Sequence, residues 1–266
     1  MEPTRITDLS DRRLDPFRSL RKNNATRDRR LFVAEGTTVV QRLFESRFEC
    51  ELVLVSDKKW DGFCSGIPEG VPVLRIAHSL ICELVGYKFH KGVLACGRRQ
   101  TSPDLAALIE NGGDRQIFIV APHVIDPENI GVLIRIGAAF GVTAVVLGEG
   151  CADAFSRRVL RVSMANGLFT PIVVANDMGT VFELLRTHDV RTFATLLDPS
   201  ATTLETIEPP KRSALVFGNE THGLSDEVLN FCDDRITIPM QGGTDSLNVA
   251  VAAGIFLFHF RNRAAE

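Results

Sequence analysis

Gln116-Ile-Phe-Ile-Val-Ala121, Asp126-Pro-Glu-Asn-Ile-Gly131, a helical pattern running to Phe140, and then Ala144-Val-Val-Leu147 form the stretch that decides the fold. An unbroken apolar run of six residues, bounded by polar loops, reads as a strand buried on both faces. Strands of that kind belong to parallel sheets covered by helices on either side. Asn129–Phe140 supplies such a helix, and a second apolar strand follows it at once. Strand, helix, strand is the unit of an open α/β sheet.

Working toward the carboxyl end, the pattern repeats. Ile172–Val174, Thr192–Leu196, Ala214–Phe217 and a stretch around Arg235–Pro239 read as further strands, and Ser246–Phe260 as a long closing helix. Toward the amino end lies a smaller α/β block. Its strands are expected at Leu31–Ala34, Glu51–Val55, Val71–Leu74 and Gly92–Cys96, with helices over Thr37–Glu45 and near His78–Val85. Arg98–Ser102, Pro103 and Asn111–Asp114 are polar and punctuated by Gly and Pro, so the junction belongs there. The expected organisation is therefore an amino-terminal domain over 1–100, a linker over 101–114 and a larger domain over 115–266.

The 266 residues are 45% hydrophobic, which suffices for two cores. Met1–Ser10 has no apolar segment of the secretory kind. Val249–Phe258 falls short of the roughly 20 residues that cross a bilayer, so no membrane partner is expected. Six scattered cysteines without a Cys-x-x-Cys pair signal neither zinc nor a disulfide framework, and a cytoplasmic location fits them. The net charge of −3 taken alone argues against nucleic acid. Its distribution differs: Asp11–Arg30 carries eight basic residues against three acidic ones, enough to track a phosphate backbone or simply to face solvent.

Ligands of parallel α/β sheets collect at the carboxyl ends of the strands. Three loops there are unusually polar: Asp126–Gly131, which opens the helix bearing Arg135; Gly218–Ser225; and Ile238 through Asn248. Each has a plainer reading. Asn129 is suited to cap one helix, and Asp245 or Ser246 another. Gly218 and Gly223 suit turns with positive φ, and Arg135 suits a surface charge. His222 and His123 are read as loop residues and not as bases.

In order and spacing, the three loops resemble the motifs of the SpoU class of SPOUT RNA methyltransferases. The first resemblance lies in Asp126-Pro127-x-Asn129-Ile130-Gly131-x-x-x-Arg135 with Ala139-Phe140-Gly141. The second is Phe217-Gly218-Asn219-Glu220-x-x-Gly223-Leu224-Ser225, and the third Ile238-Pro239-Met240 followed by Ser246-Leu247-Asn248-Val249-x-Val251-Ala252. A weaker element, Val162-Ser163-Met164-Ala165, departs from the pattern in having Ala165 where relatives often carry glycine. Arg30-Leu-Phe-Val-Ala-Glu35-Gly36 and Gly92-Val-Leu-Ala95 resemble the L30e-like substrate-binding domain found ahead of such enzymes.

This resemblance implies a deep trefoil knot in the carboxyl-terminal domain, S-adenosylmethionine as cofactor, a homodimer, and transfer of methyl to a ribose 2′-hydroxyl of structured RNA, ribosomal or transfer. It implies cofactor contacts at Gly218, Ile238, Met240 and Leu247, and catalytic roles for Asn129, Arg135, Glu220, Ser246 and Asn248. Arg30, Arg157, Arg158 and Arg161 are the expected RNA contacts. A backbone-held cofactor accounts for the lack of a Gly-x-Gly-x-x-Gly fingerprint. A charged guanidinium has no acceptor, so Arg135 acts as a base only where its site favours the neutral form; otherwise it stabilises the developing alkoxide or binds phosphate. Two rival readings stand beside this one, a non-catalytic RNA-binding protein on the same scaffold and a SPOUT enzyme that methylates a base.

Overall fold

The computed structural model describes residues 2–18, 20, 30–219, 221–240 and 247–262. The chain divides into two compact units. The first comprises Met1–Thr101 with Phe155–Phe169, and the second Ser102–Ala154 with Thr170–Glu266.

In the second unit, seven strands form one wholly parallel sheet. Before it, the first unit uses β1 (Thr4–Ile6), β2 (Leu31–Glu35), β3 (Cys50–Ser56), β4 (Val73–Ile76) and β5 (Val93–Arg98). The parallel sheet then takes β6 (Gln116–Ala121), β7 (Ala144–Gly148), β8 (Ile172–Ala175), β9 (Arg191–Leu196), β10 (Thr202–Thr203), β11 (Arg212–Val216) and β12 (Asp234–Thr237). Its order is β10-β12-β9-β11-β6-β7-β8. From β6 the chain winds outward through β7 to β8. It then returns beyond β11 to β9 and continues to the opposite edge. The winding therefore reverses between β6 and β11, which pair through Leu215↔Ile119 and Val216↔Val120. A crevice opens outside the strand ends at such a reversal.

Side chains alternate across the sheet. Phe118, Val120, Val146, Ala214 and Val216 face one core, shared with Leu105 and Ile109 of a helix at Leu105–Glu110, with Val181, Phe182 and Leu185 of a helix at Met178–Thr187, and with Val228 of one at Asp226–Phe231. Ile119 points the other way, beneath the helix Pro127–Phe140. There a Cβ on Gly137 would come within 3.0 Å of the Ile119 Cδ1, so glycine lets helix and strand approach. The closing helix, Val249–Asn262, lays Phe260 edge-on to Phe193 at 5.0 Å and Phe256 against Phe217 at 6.1 Å. Helices thus cover both faces, as the apolar strands demand.

The first unit is a second three-layer α/β body, with strand order β1-β4-β3-β5-β2. Here β1, β4 and β3 run parallel, and β5 is antiparallel to both of its neighbours. Phe32, Ala34, Val53, Val55 and Ala95 pack under the helix Thr37–Glu45 and under Leu160 and Leu168. Leu31, Val33, Leu54, Leu74 and Cys96 face Leu14, Phe17 and the helix His78–Val85.

In chain order the helices are α1 (Thr37–Glu45), α2 (Asp57–Phe63), α3 (His78–Val85), α4 (Leu105–Glu110), α5 (Pro127–Phe140), α6 (Arg157–Val162), α7 (Met178–Thr187), α8 (Asp226–Phe231) and α9 (Val249–Asn262). Two details correct the sequence reading. The stretch 101–114 holds α4, whose Leu105 and Ile109 are buried in the core of the second unit, so it is an element there and not a connector. The segment around α6 packs with the first unit although it lies deep in the second half of the chain.

Candidate active site

The loops that follow β6, β9, β11 and β12 meet the start of α9 around one cleft of about 750 Å³. Asp126 and Asn129 come from the first of these loops and its helix, and Thr195, Leu196 and Leu197 from the end of β9 and the start of its loop. Phe217, Gly218, Asn219 and Gly223 belong to the third, and Ile238 and Met240 to the fourth. Leu247 and Asn248, just before α9, and Val249, Ala252 and Phe256 within it close the cleft. Loops far apart in the chain therefore share one space, at the reversal point of the sheet.

The structure shows how the polar residues are held. Asp126, not Asn129, caps α5: its side chain accepts from the Glu128 N–H at 2.8 Å, with Pro127 at the first helical position. Asn129 is thereby freed from capping and sits buried in the first turn. Asp245 and Ser246 lie outside the described residues, and Asn248 caps α9, its Oδ1 accepting from the Ala250 N–H at 2.9 Å. Its amide is oriented by that bond, so Nδ2 turns to donate to Asn129 Oδ1 at 2.9 Å. The amide of Asn129 is oriented in turn, its oxygen engaged by Asn248. Glu220, like Ser246, lies outside the described residues.

Asn219 does work that the sequence reading did not assign to it. Its Oδ1 accepts from the backbone N–H groups of Thr221 and His222 at 2.9 and 3.1 Å, a turn closed on its own side chain. Its Nδ2 donates to the carbonyl of His123 at 3.2 Å, tying the loop after β11 to the loop after β6. Asn219 and Gly223 also exchange backbone bonds at 2.8 and 3.0 Å. In this tight hairpin Gly223 supplies a φ of +66°. Gly218 serves differently: a Cβ there would lie 2.4 Å from the Gly223 carbonyl carbon and 2.6 Å from the Leu224 nitrogen. Its glycine is required first by the loop folding back on itself. His222 lines the cleft, and His123 contributes a carbonyl to Asn219.

Of the expected cofactor contacts, Gly218, Ile238, Met240 and Leu247 all line the cleft, as do Asn129 and Asn248. Arg135 does not. It lies further along α5, exposed, outside the lining of its own chain's cleft. Asp126, Phe217, Asn219, Leu197 and Phe256 are lining residues that received no role in the sequence reading. Only the Asn219 turn had a local signal, an Asn followed by small polar residues after a strand.

The expected RNA contacts separate. Arg30 and Arg161 are exposed, and so is Arg158. Arg157 is committed inside the first unit. Its Nη1 donates to Glu35 Oε2 and to the Tyr87 hydroxyl, each at 2.7 Å; its Nη2 donates to the carbonyl of Leu20; and the Tyr87 hydroxyl donates to Glu35 at 2.9 Å. Burial, then the charge of Glu35, pushes the Tyr87 phenol up to about 12. In the basic run Asp11–Arg30, Arg13 pairs with Asp11 at 2.5 Å and Arg18 with Asp15 at 2.8 Å, while positions 21–29 lie outside the described residues. Ala165 resolves the departure noted above. It and Met164 adopt φ of +60° and +52°, so the loop keeps a left-handed shape that glycine adopts without strain.

Residues 116–258 match the model of the SpoU rRNA Methylase family. The chain belongs to that family. Over 269 residues this SpoU chain is 36% identical to an uncharacterized tRNA/rRNA methyltransferase of Mycobacterium bovis, covering 98% of this chain and 92% of that one. It is 29% identical over 235 residues to a 23S rRNA (guanosine(2553)-2′-O)-methyltransferase of Bacillus subtilis, with 86% and 88% covered. Among solved structures, the AdoMet-bound rRNA methyltransferase from Sinorhizobium meliloti matches 99% of both chains with a TM-score of 0.84 at 25% identity. The mixed α/β architecture with a parallel sheet is that of the SpoU methyltransferases.

Proposed function

We propose that this chain transfers a methyl group from S-adenosylmethionine to the 2′-hydroxyl of a ribose in ribosomal RNA, in the cytoplasm. The observation that carries the proposal is the convergence of Gly218, Ile238, Met240 and Leu247 with Asn129 and Asn248 on one cleft. Its volume lies within the range of small-molecule sites. Apolar walls from Ile238, Leu247, Phe217 and Val249 suit an adenine ring, and the paired amides of Asn129 and Asn248 mark the polar end. Bound there, S-adenosylmethionine supplies an activated sulfonium methyl. The chain's own residues align the acceptor hydroxyl and compensate charge as its proton leaves.

Arg135 fits that second task through a second copy of the chain. Val251, Ile255 and Phe258 on α9 are 53%, 40% and 60% exposed, a stripe at helical spacing beside α5, where Phe258 meets Phe140 edge-on at 6.5 Å. A homodimer that buries this stripe carries the neighbouring Arg135 toward the partner's cleft, where its fork suits an alkoxide or a phosphate. A deep trefoil knot in the carboxyl-terminal domain, and an L30e-like role for the first unit in holding RNA, complete the proposal.

The test is transfer from S-adenosylmethionine labelled in its methyl group to deproteinised ribosomal RNA, followed by alkaline hydrolysis. Label in alkali-resistant dinucleotides is the expected result. Label in mononucleotides would assign the chemistry to a base, and no transfer despite RNA binding would leave a binding protein.

A further inference from the structure

The proposed reaction needs RNA held firmly, and charge is distributed very unevenly between the two units. The first contains 21 Lys and Arg against 13 Asp and Glu, the second 9 against 20. A polyanion is therefore attracted by one unit and repelled by the other. Within the first unit the described lysines gather at one end of the sheet. The carboxyl ends of β2, β3 and β4 lie there with the beginning of β5, as their registers require. Lys58 and Lys59 open α2 directly after β3, and Lys88 and Lys91 stand on the loop that enters β5. All four are exposed, as is His90.

This end is built and not merely decorated. The loop alternates: Tyr87 is held by Glu35 and Arg157, Phe89 is buried and meets Tyr87 edge-on at 5.9 Å, and Lys88, His90 and Lys91 are left facing outward. Two glycines make room for lysine stems. A Cβ on Gly36 would touch the Lys91 Cδ at 3.6 Å, and one on Gly92 would collide with the Lys59 Cγ at 2.6 Å. The carboxylates closest in sequence to these loops are already taken. Asp57 pairs with Arg75 at 2.6 Å and with Arg5 at 3.8 Å, and Glu35 with Arg157. Asp61 and Glu83 lie further along α2 and α3. Lysines in the first turn of a helix oppose its dipole, so Lys58 and Lys59 are placed against local stability. His78, at the start of α3, is held below its ordinary pKa by desolvation first and then by the charges of Lys58 and His90.

We infer that this end of the first unit, carrying Lys58, Lys59, Lys88 and Lys91, is the surface that binds the RNA phosphate backbone, and that Arg157 positions its loop instead of touching RNA. The inference rests on the proposed RNA substrate and assigns it a docking face.

The experiment measures binding of a fluorescein-labelled RNA stem-loop to the full chain by anisotropy across a potassium chloride titration. The wild type is compared with the quadruple variant Lys58→Gln, Lys59→Gln, Lys88→Gln, Lys91→Gln and with a second-unit control, Arg186→Gln with Lys211→Gln. Each phosphate that the protein no longer neutralises lowers the slope of log affinity against log salt by about 0.7–0.9. The quadruple variant should therefore show a clearly shallower slope and an affinity at least about tenfold weaker at low salt, with the control unchanged. Calorimetric binding of S-adenosylmethionine to the same variant should match the wild type, which separates this face from the cofactor site. An unchanged slope and affinity would overturn the inference while leaving the methyltransferase reading intact, and so would an equal loss in the control pair.

Discussion

The two units are built from the same ingredients and do different work. Both are three-layer α/β bodies with buried strands, yet one sheet is mixed and the other wholly parallel. The parallel sheet brings every strand's carboxyl end to one side, so four loops converge on one cleft. That cleft is lined mainly by apolar side chains, amides and backbone, in a unit that is acidic as a whole. The mixed sheet divides its strand ends between two sides, and it belongs to the unit with the excess positive charge. Grip and chemistry are thus divided: a polyanion is held by charge in one unit, and a small cofactor is shaped by loops in the other.

The sharpest way to break this division is at Arg135, the basic residue assigned to chemistry in the acidic unit. Arg135→Ala should lower methyl transfer by about 10²–10³-fold, the loss typical of one charge-stabilising donor, with RNA affinity within about twofold in an anisotropy titration. A comparable loss of RNA affinity would move Arg135 from chemistry to grip. Arg135→Lys retaining most turnover would show that a point charge suffices and the fork does not matter.

A second test concerns what holds the first unit together. Glu35 is buried and its carboxylate depends on Arg157. Arg157→Ala should therefore destabilise that unit by about 3 kcal/mol, because it leaves a buried carboxylate without its counter-charge, with only the Tyr87 hydroxyl among the described residues to stabilise it. Urea unfolding monitored by Trp60, which lies in the same unit, reads this directly. A change below about 1 kcal/mol, the scale of a surface pair, would mean that the network is ornamental.

Alkali separates the units further. Burial pushes the thiols of Cys50 and Cys96 in the first unit, and of Cys232 in the second, from an ordinary 9.0 up to about 12. A group whose folded pKa is raised contributes stability that is complete below the unfolded value and fades as pH climbs toward the folded one. The contribution of these thiols should therefore be constant below pH 9.0 and fall between there and about 12. The first unit should go first, since it also holds Tyr87. Stability that rises over that interval would contradict the sign. The smallest expected effect is at Ala165, where relief of the left-handed alanine by Ala165→Gly should stabilise by about 1 kcal/mol. A loss in the thermal melt would show that the methyl group's packing outweighs its backbone strain.

Much of this was legible in the sequence, for identifiable reasons. Gln116–Ala121 and Ala144–Leu147 announce parallel strands because burial on both faces leaves no polar alternation. The three loops are legible because their residue types are rare together at strand ends. Helix caps were misassigned by a few positions: Asp126 and Asn129 are both good caps, and only the geometry shows that Pro127 takes the first helical position and leaves Asn129 to the cleft. Helix α6 could not be placed from its neighbours in the chain, since its partners Glu35, Tyr87 and Leu20 are distant in sequence. The reason for Gly218 was also hidden, because its obstacle is the backbone of Gly223 and Leu224.

The most direct measurement is calorimetric titration of S-adenosylmethionine into the full chain and into Gly218→Val. Binding by the wild type, abolished in the valine variant while RNA affinity and its salt dependence persist, is the expected result. Equal cofactor binding by both proteins, or none by the wild type, would contradict a cofactor cleft built on the loops of the parallel sheet.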